Sequence, residues 1–568
     1  MSNKITKISS EEKGLNTLRD ITEDSIIFII RPDKEIFNVI VEIHLMLKAL
    51  KGGNCTETLI FIPKENYDII EYMSTNSMLA EFTIENFNID LIPIDTDLFS
   101  MEKENNIQEI YLDKNYSCIS ELANAVVKLE TCFGKIKHKY IKGDLAQTFC
   151  DLVEEKEKEN DLKITEDEIL GMVVLDRSVD FITLMTTNYT TEGIIDEVIG
   201  INLGRIEIKK SVLLDNSKNS TAKSDKLNVK VRYGLTTDIN SFYCSFRCMH
   251  YKDATQYMKS VERYFENISS KLKQKLSFEE LNKYTKELKN YTTNLKSSLD
   301  QNENLVSFIL DELLKDKDLS KSREKEVILL SGETPNDLRS FYDEYLCEQK
   351  DLIKLIKLMI IESLTQNGIQ GYQQLKREII NIYGFQKIFL FRDLENLGWL
   401  KERPLLKTLK KLIGSSYSDL FNKLELVSEN PEPNKFDDCS YVMEGCSPIS
   451  LKIIEKAVKG QWSTIIDTLR KMPGATNMPQ DENAIIRPKK DKNIMFIVFI
   501  GGVTYAEIEG IRFLNRKFKE EYLKGKRKKT QFIILTTSIL NSRKILESLG
   551  KNFRSIYNMK MFNDESNK

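Results

Sequence analysis

The sequence predicts a mixed α/β protein in which two sheet-forming stretches are interrupted by a large helical insertion. Three observations carry this. Short isoleucine-rich runs alternate with helical spacings near the start of the chain. The same alternation restarts after Gly134 and stops near Met249. It returns only beyond residue 485, where one strand pair and its helix are too little to bury a core alone. Strands that are apolar on both faces and separated by helices indicate a parallel sheet covered on both sides.

Residues 25–30, 58–62 and 89–94 read as the first strands. Between the first two, Ile40, Ile43, Leu47 and Leu50 recur at spacings of three and four, an amphipathic helix ended by Gly52 and Gly53. Residues 1–134 are the expected first α/β domain. The second opens with a strand over 135–141, a helix from Gly143-Asp144 and a strand over 169–175. From Met249 to Gln480 helical spacing dominates, as in Met258, Val261, Tyr264, Phe265 and Ile268. Breaks fall at 331–335, 368–371 and Pro431 to Pro433. A strand over 494–500, a helix over 504–522 and a strand over 531–535 then complete the second sheet. The expected division is therefore 1–134, then 135–248 joined with 485–568, and a helical domain over 249–484.

The composition fits this size. At about 150 residues per domain, 568 residues suggest about three or four packed cores. Hydrophobic residues at 41%, charged residues at 30% and only 11 prolines describe a chain that folds rather than a disordered one. A net charge of -3 supplies no overall basic field for nucleic acid, which is excluded as an expected partner. Nine scattered cysteines read as reduced thiols of a cytoplasmic protein. Met1 to Glu12 lacks the apolar core of a signal peptide, and the apolar run over 352–364 is interrupted by Lys354, Lys357 and Glu362. Membrane association is thus expected through partners or surface contacts.

No motif completes a catalytic or metal signature. Gly501-Gly502-Val503-Thr504 lies between a strand and a helix, where phosphate loops sit, yet it lacks the Walker lysine and the spaced dinucleotide glycines. It reads as a tight turn. Gly550-Lys551 fails the same test. Cys244, Cys248 and His250 have no second ligand pair, only three histidines exist, and no Gly-x-Ser-x-Gly elbow occurs. No catalytic residue, metal or cofactor is therefore assigned. In Leu175-Asp176-Arg177-Ser178-Val179-Asp180, two carboxylates flank a guanidinium and read as a charge-assisted pair that fixes a loop. Glu192, Gly193, Asp196 and Glu197 read as the acidic start of a helix. The charge runs over 154–158 and 524–529 read as solvated helix faces or loops.

Taken in order, these motifs resemble the SM (Sec/Munc) family. The likeness begins with Phe133-Gly134-Lys135-Ile136 and Lys142-Gly143-Asp144-Leu145-Ala146, and continues through the Asp176 run into Thr190-Thr191-Glu192-Gly193-Ile194-Ile195-Asp196-Glu197. Leu375-Lys376-Arg377-Glu378-Ile379, Tyr383-Gly384-Phe385 and Leu394-Glu395-Asn396-Leu397-Gly398 resemble its vacuolar-sorting subfamily. Asp437-Asp438, Ser440-Tyr441-Val442, Pro448-Ile449-Ser450 and Gly501 to Glu507 complete the set.

The resemblance implies a three-domain arch, with two parallel-sheet α/β domains and a mostly helical domain inserted into the second. It implies a non-enzymatic regulator of SNARE-mediated fusion on endosome, vacuole and lysosome membranes, working by templating SNARE helices. Its partners would be endosomal or vacuolar SNAREs and, within a HOPS/CORVET-like tethering complex, vacuolar protein sorting-associated protein 16 and other class C subunits. The SNARE surface is expected in a hairpin over 278–314, on the stripe Leu281, Tyr284, Leu288, Tyr291 and Leu295, which reads equally as core. Tether docking is expected at Tyr441, Met443, Pro448 and Ile449, although Cys446 stands where the family pattern carries an aromatic residue. Asp176, Arg177, Asp180, Glu192, Gly193, Asp196, Glu197, Gly501 and Gly502 are expected to be structural. The alternatives are a nucleotide-binding enzyme using the Gly501-Gly502 turn or the Asp176 loop, and a tether scaffold without SNARE contact.

Overall fold

A parallel sheet needs crossovers, and here the longest of them carries the whole helical insertion. The computed structural model describes residues 25–51, 56–62, 64–103, 105–159, 168–214, 229–273, 277–315, 318–404, 417–427, 438–443, 445–479 and 492–550. The expectations placed on Met1 to Glu12, Gly52, Gly53, Pro431 to Pro433 and Lys551 lie outside the described residues. Two compact units divide the chain, Met1–Ile92 and Pro93–Lys568.

In the first unit the strands Ser25–Ile30, Thr56–Phe61 and Thr83–Asn86 pair in parallel, in that order. The helix Lys34–Lys51 buries the apolar stripe read from its spacing, with Ile40, Ile43 and Leu47 joining Phe28, Leu59 and Phe61 in one core. A second helix, Tyr67–Thr75, is started by Asn66, whose side chain accepts from the Ile69 N–H. His44 is buried on the first helix and bonds Glu57 at 3.1 Å. Coverage on both sheet faces, expected from the apolar runs, is not what this unit shows: Ile27 and Ile29 are 59% and 63% exposed.

The second unit holds a seven-stranded sheet in the order Thr476–Asn477, Lys139–Lys142, Gly171–Asp176, Lys492–Ile500, Lys529–Thr536, Leu98–Ser100 and Ile92–Asp95. Strand Lys492–Ile500 runs parallel to both neighbours, with Ile497 opposite Val173 on one side and Ile534 on the other. Residues 495–500 and 172–174 are fully buried, as near-continuous apolar runs on a two-sided sheet must be. Because Ile92–Asp95 and Leu98–Ser100 join this sheet, the first compact unit ends at residue 92 rather than 134. The helix Ser117–Phe133 likewise packs on the helix Asp144–Glu159. Lys142 is wholly buried and donates to the carbonyls of Met472, Pro473 and Gly474, which ties the sheet edge to the end of the insertion.

Helices fill most of the insertion. Its first part is a hairpin of Tyr251–Lys271 against a continuous helical arm made of Phe278–Asn290, a π-helical turn Tyr291–Leu295 and Lys296–Lys315. The apolar run over 352–364 forms the helix Leu352–Thr365, whose Lys357 is buried against Glu197 at 2.8 Å. Among the described residues no helix is long and apolar enough to cross a membrane. An antiparallel pair, Arg205–Lys209 with Lys230–Gly234, was not predicted; Ile206 and Ile208 alternate inward along it.

Candidate functional site: a buried lock and an open hairpin

The family motifs converge on one buried cluster. Asp176 ends its strand and turns the chain by accepting from the Ser178 N–H at 2.9 Å, and Asp180 starts the helix Phe181–Met185 by accepting from the Thr183 N–H at 3.0 Å. The expected clamp of Arg177 between these two aspartates is corrected: its Nη1 donates to Glu507 Oε2 at 2.6 Å, while the nearest Asp180 carboxylate oxygen is 4.0 Å away. Nη2 donates to the Asp180 carbonyl. Each aspartate gives one oxygen to a turn N–H, while Asp176 Oδ2 accepts from the Leu145 N–H and Asp180 Oδ2 from the Thr183 hydroxyl and the Ser450 N–H, which leaves the guanidinium for a partner more than three hundred residues distant. Asp176 Oδ1 also accepts from the Tyr111 hydroxyl at 2.5 Å.

Glu507 closes the Gly501 motif in the sequence, but its role as the partner of Arg177 was missed there. It is fully buried and makes a capping box, with the Thr504 N–H donating to its Oε2 at 2.9 Å and its own N–H donating to Thr504 Oγ1 at 3.4 Å. The Ser450 hydroxyl donates to Oε1, and the Ser450 N–H donates to Asp180 Oδ2 at 3.0 Å. Burial works against the Arg177 charge, yet Glu507 holds the guanidinium protonated, with its pKa above the ordinary value. The Thr-x-x-Glu spacing at 504–507 was the available signal.

Gly501 and Gly502 have φ of 91° and 106°, the left-handed region. A Cβ on Gly501 would stand 2.6 Å from the Tyr111 hydroxyl, and one on Gly502 would stand 2.5 Å from Leu540 Cγ. The space beside the two glycines is filled by Tyr111, Arg177 and Leu540. The turn serves close packing.

The acidic helix start also links segments. Thr190 caps Thr191–Val198, Asp196 accepts from Asn541 Nδ2 at 2.8 Å, and Glu197 pairs with Lys357. A Cβ on Gly193 would meet Asn188 at 2.1 Å. Glu192 pairs with Arg512 at 2.7 Å, and Arg512 also holds Glu509 at 2.7 Å and Asp97 at 3.1 Å. Arg247 joins through Asp95 at 2.6 Å. Burial, with Glu509 beside it, pushes the Glu192 carboxyl well above the usual range. These acids do more than offset a helix dipole. Cys248 is buried in the same region with its thiol pushed well up by burial, and among the described residues no group of three ligands converges on a metal.

The hairpin stripe is split by the structure. Ser277 and Glu280 form a capping box that opens the second arm. Tyr291 is only 7% exposed because its ring stacks on Phe265 at 4.0 Å, so it is withdrawn from the surface. Tyr284, Leu288 and Leu295 are half-buried, Lys271 lies over the Tyr284 ring, and Leu281 is 42% exposed. Phe278, not singled out from the sequence, is 77% exposed at the hairpin's outer end.

The expectation that Tyr441, Met443, Pro448 and Ile449 offer an exposed cluster is corrected: all four are buried. The Tyr441 ring packs on Phe513 at 5.3 Å and its hydroxyl donates to the Glu509 carbonyl at 3.3 Å. Ile449 is the first residue of the helix Ile449–Val458. Their apolar character reflects the join to the helix Tyr505–Leu523.

Two outcomes follow from this geometry. Arg177→Met leaves Glu507 buried without its cation and is expected to cost about 3–5 kcal/mol, read as a drop in the thermal midpoint; Arg177→Met with Glu507→Met recovers much of it, and an additive double variant contradicts the pair's role. His250 starts the first hairpin arm, its Nδ1 accepting from the Lys252 N–H at 3.3 Å, and burial holds its imidazole down at about 4. The unfolded group titrates near about 6.5, so this stabilisation is present above that pH and is lost as pH falls toward 4. The thermal midpoint should drop across that window in the native chain and stay flatter in His250→Asn, which keeps a capping oxygen; identical profiles contradict the assignment.

Known proteins share this fold over most of the chain. The vacuolar protein-sorting-associated protein 33 homolog of Arabidopsis thaliana is 23% identical over 570 residues, covering 95% of this chain and 89% of that protein. Vacuolar protein sorting-associated protein 33A of Rattus norvegicus is 24% identical, covering 92% and 86%. Among solved structures, the Unc18–syntaxin 1 complex from Monosiga brevicollis matches with a TM-score of 0.54 at 13% identity over 93% of this chain and 89% of that one. Sly1p in complex with an N-terminal peptide of Sed5p matches at 0.53 and 14% identity over 93% and 84%, which is likeness of fold. The family model described as the Sec1 family matches residues 1–548, and the chain belongs to that family.

Proposed function

We propose that this chain regulates SNARE-mediated membrane fusion on the route from endosome to vacuole or lysosome. It holds SNARE helices in register as a subunit of a HOPS/CORVET-like tethering complex with vacuolar protein sorting-associated protein 16 and other class C subunits. The observation that carries the reading is the family match over residues 1–548. Support comes from relatives named for vacuolar sorting and from similar folds seen with syntaxin 1, with the Qa SNARE Tlg2 and with a Sed5p peptide. The proposed action makes or breaks no covalent bond, in keeping with a glycine turn that is packed by side chains.

Within this reading the domains are an N-terminal α/β domain over 1–134, a discontinuous second domain over 135–248 and 485–568, and a helical domain over 249–484. The pairing of Gly171–Asp176 with Lys492–Ile500 supports the discontinuous part, and the compact-unit boundary at 92 argues for moving the first limit earlier. The SNARE surface is assigned to the hairpin, with Phe278 and Leu281 outermost and Tyr284, Leu288 and Leu295 at the groove wall, while Tyr291 holds the two arms together. An amphipathic partner helix suits such a half-exposed apolar stripe. Tether docking is assigned to the helical domain's second half, with Tyr441, Met443, Pro448 and Ile449 fixing its base.

Leu281→Asp with Leu288→Asp is expected to weaken binding of an assembled endosomal SNARE bundle at least tenfold, about 1.4 kcal/mol, measured by calorimetry, while a helical C-terminal segment of protein 16 still binds. Undiminished SNARE affinity contradicts the hairpin assignment. A wild-type chain that binds protein 16 but no SNARE favours the scaffold alternative.

A further inference from the structure

We propose that the basic segment over 524–529, which joins the helix Tyr505–Leu523 to the strand Lys529–Thr536, is together with Tyr522 and Leu523 a contact surface for an anionic membrane. The helix Tyr505–Leu523 buries Ile508, Ile511, Leu514 and Phe518 on its sheet-facing side, at the spacing a half-buried helix needs. Its last residues break that pattern. Leu523 is 72% exposed and Tyr522 42% exposed, directly beside the basic turn.

The turn itself is pre-shaped. Gly525 takes φ of 69°, and the Lys526 N–H donates back to the Glu521 carbonyl at 2.9 Å, reversing the chain at the helix end. Arg527 folds inward, with Nε 3.0 Å from Glu521 and its guanidinium 4.3 Å from the Phe518 ring centre. That leaves Lys524, Lys526, Lys528 and Lys529 exposed around the same tip. Residues 519–529 carry six cations and two carboxylates, a local +4 in a chain whose net charge is -3.

A solvated helix terminus explains part of this and no more. Lys524 stands at the C-terminal end, where a cation offsets the dipole. Lys526, Lys528 and Lys529 lie beyond the helix, and an exposed leucine has no part in that offset. A bilayer surface suits all of them together: anionic headgroups attract clustered lysines, the tyrosine ring is amphipathic, and an aliphatic side chain enters the acyl boundary. Nucleic acid suits the charge but leaves Leu523 without a role, since bases are gripped by flat rings and guanidinium groups.

The test is flotation of the full-length chain with vesicles of phosphatidylcholine alone or with 30% phosphatidylserine, at 50 and 500 mM salt. Binding is expected to the anionic vesicles at low salt, and to be lost at high salt and on neutral vesicles. The triple variant Lys524→Glu, Lys526→Glu, Lys529→Glu should reduce it at least tenfold, and Leu523→Ser alone at least threefold. Both variants alter exposed positions, and an unchanged thermal midpoint and unchanged SNARE binding separate this surface from the hairpin. No binding by the native chain, equal binding to neutral vesicles, or triple-variant binding equal to native overturns the proposal. So does tighter binding of a 30-nucleotide single strand that ignores Leu523→Ser.

Discussion

The strand Lys492–Ile500 occupies the middle of the larger sheet, and the rest of the second unit depends on that placement. Neither Gly171–Asp176 nor Lys529–Thr536 has its full set of neighbours until this late segment arrives. Contacts separated by some three hundred residues carry a large loop-closure cost before they are rewarded, so folding of such a sheet is slow relative to local helices. The buried Arg177–Glu507 pair sits at the end of the same strands and fixes their alignment with the helix Tyr505–Leu523. A desolvated ion pair adds little net stability compared with apolar packing, but it penalises any arrangement that leaves one member unpaired. Specificity of closure is the better account of why this charge is inside.

The same reasoning extends outward from that pair. Arg512 gathers Glu192 and Asp97 from two other parts of the chain beside Glu509 of its own helix, Asp196 holds Asn541, and Glu197 holds Lys357 of the insertion. Apart from the Arg512–Glu509 pair, each link joins segments distant along the chain. Arg177, Glu192, Asp196, Glu197 and Glu507 are thus among the residues that close the second unit. The proposed function leaves recognition of a partner to surfaces with fewer internal obligations, and the hairpin is such a surface, since the helix Phe278–Asn290 has no fully buried residue.

Periodicity and local chemistry made most elements legible. Ile40, Ile43 and Leu47 stand on one helical face and are buried on it, and the apolar run over 494–500 became the central strand. What the sequence left hidden depends on distance along the chain. Arg177 has two nearby aspartates in sequence, but their oxygens are committed to turn N–H groups and to donors from Leu145, Thr183 and Ser450, and only the fold brings Glu507 near. Tyr441 and Ile449 have the character of interface anchors and of core alike; Phe513 decides between these, and it is not local. Tyr291 shares the hairpin stripe with Leu281, yet Phe265 covers one and not the other. The boundary at 92 was hidden because strands as short as Leu98–Ser100 carry too few residues to reveal their partner.

The account separates an internal lock from an external hairpin, and amide hydrogen exchange reads both at once. Exchange should be followed in the full-length chain alone and with a saturating four-helix SNARE bundle. New protection is predicted over the arms Tyr251–Lys271 and Phe278–Asn290, with the segments around Asp176–Asp180 and Gly501–Glu507 equally slow in both states. Protection that appears around the Gly501–Glu507 turn while the hairpin stays unchanged would contradict the account.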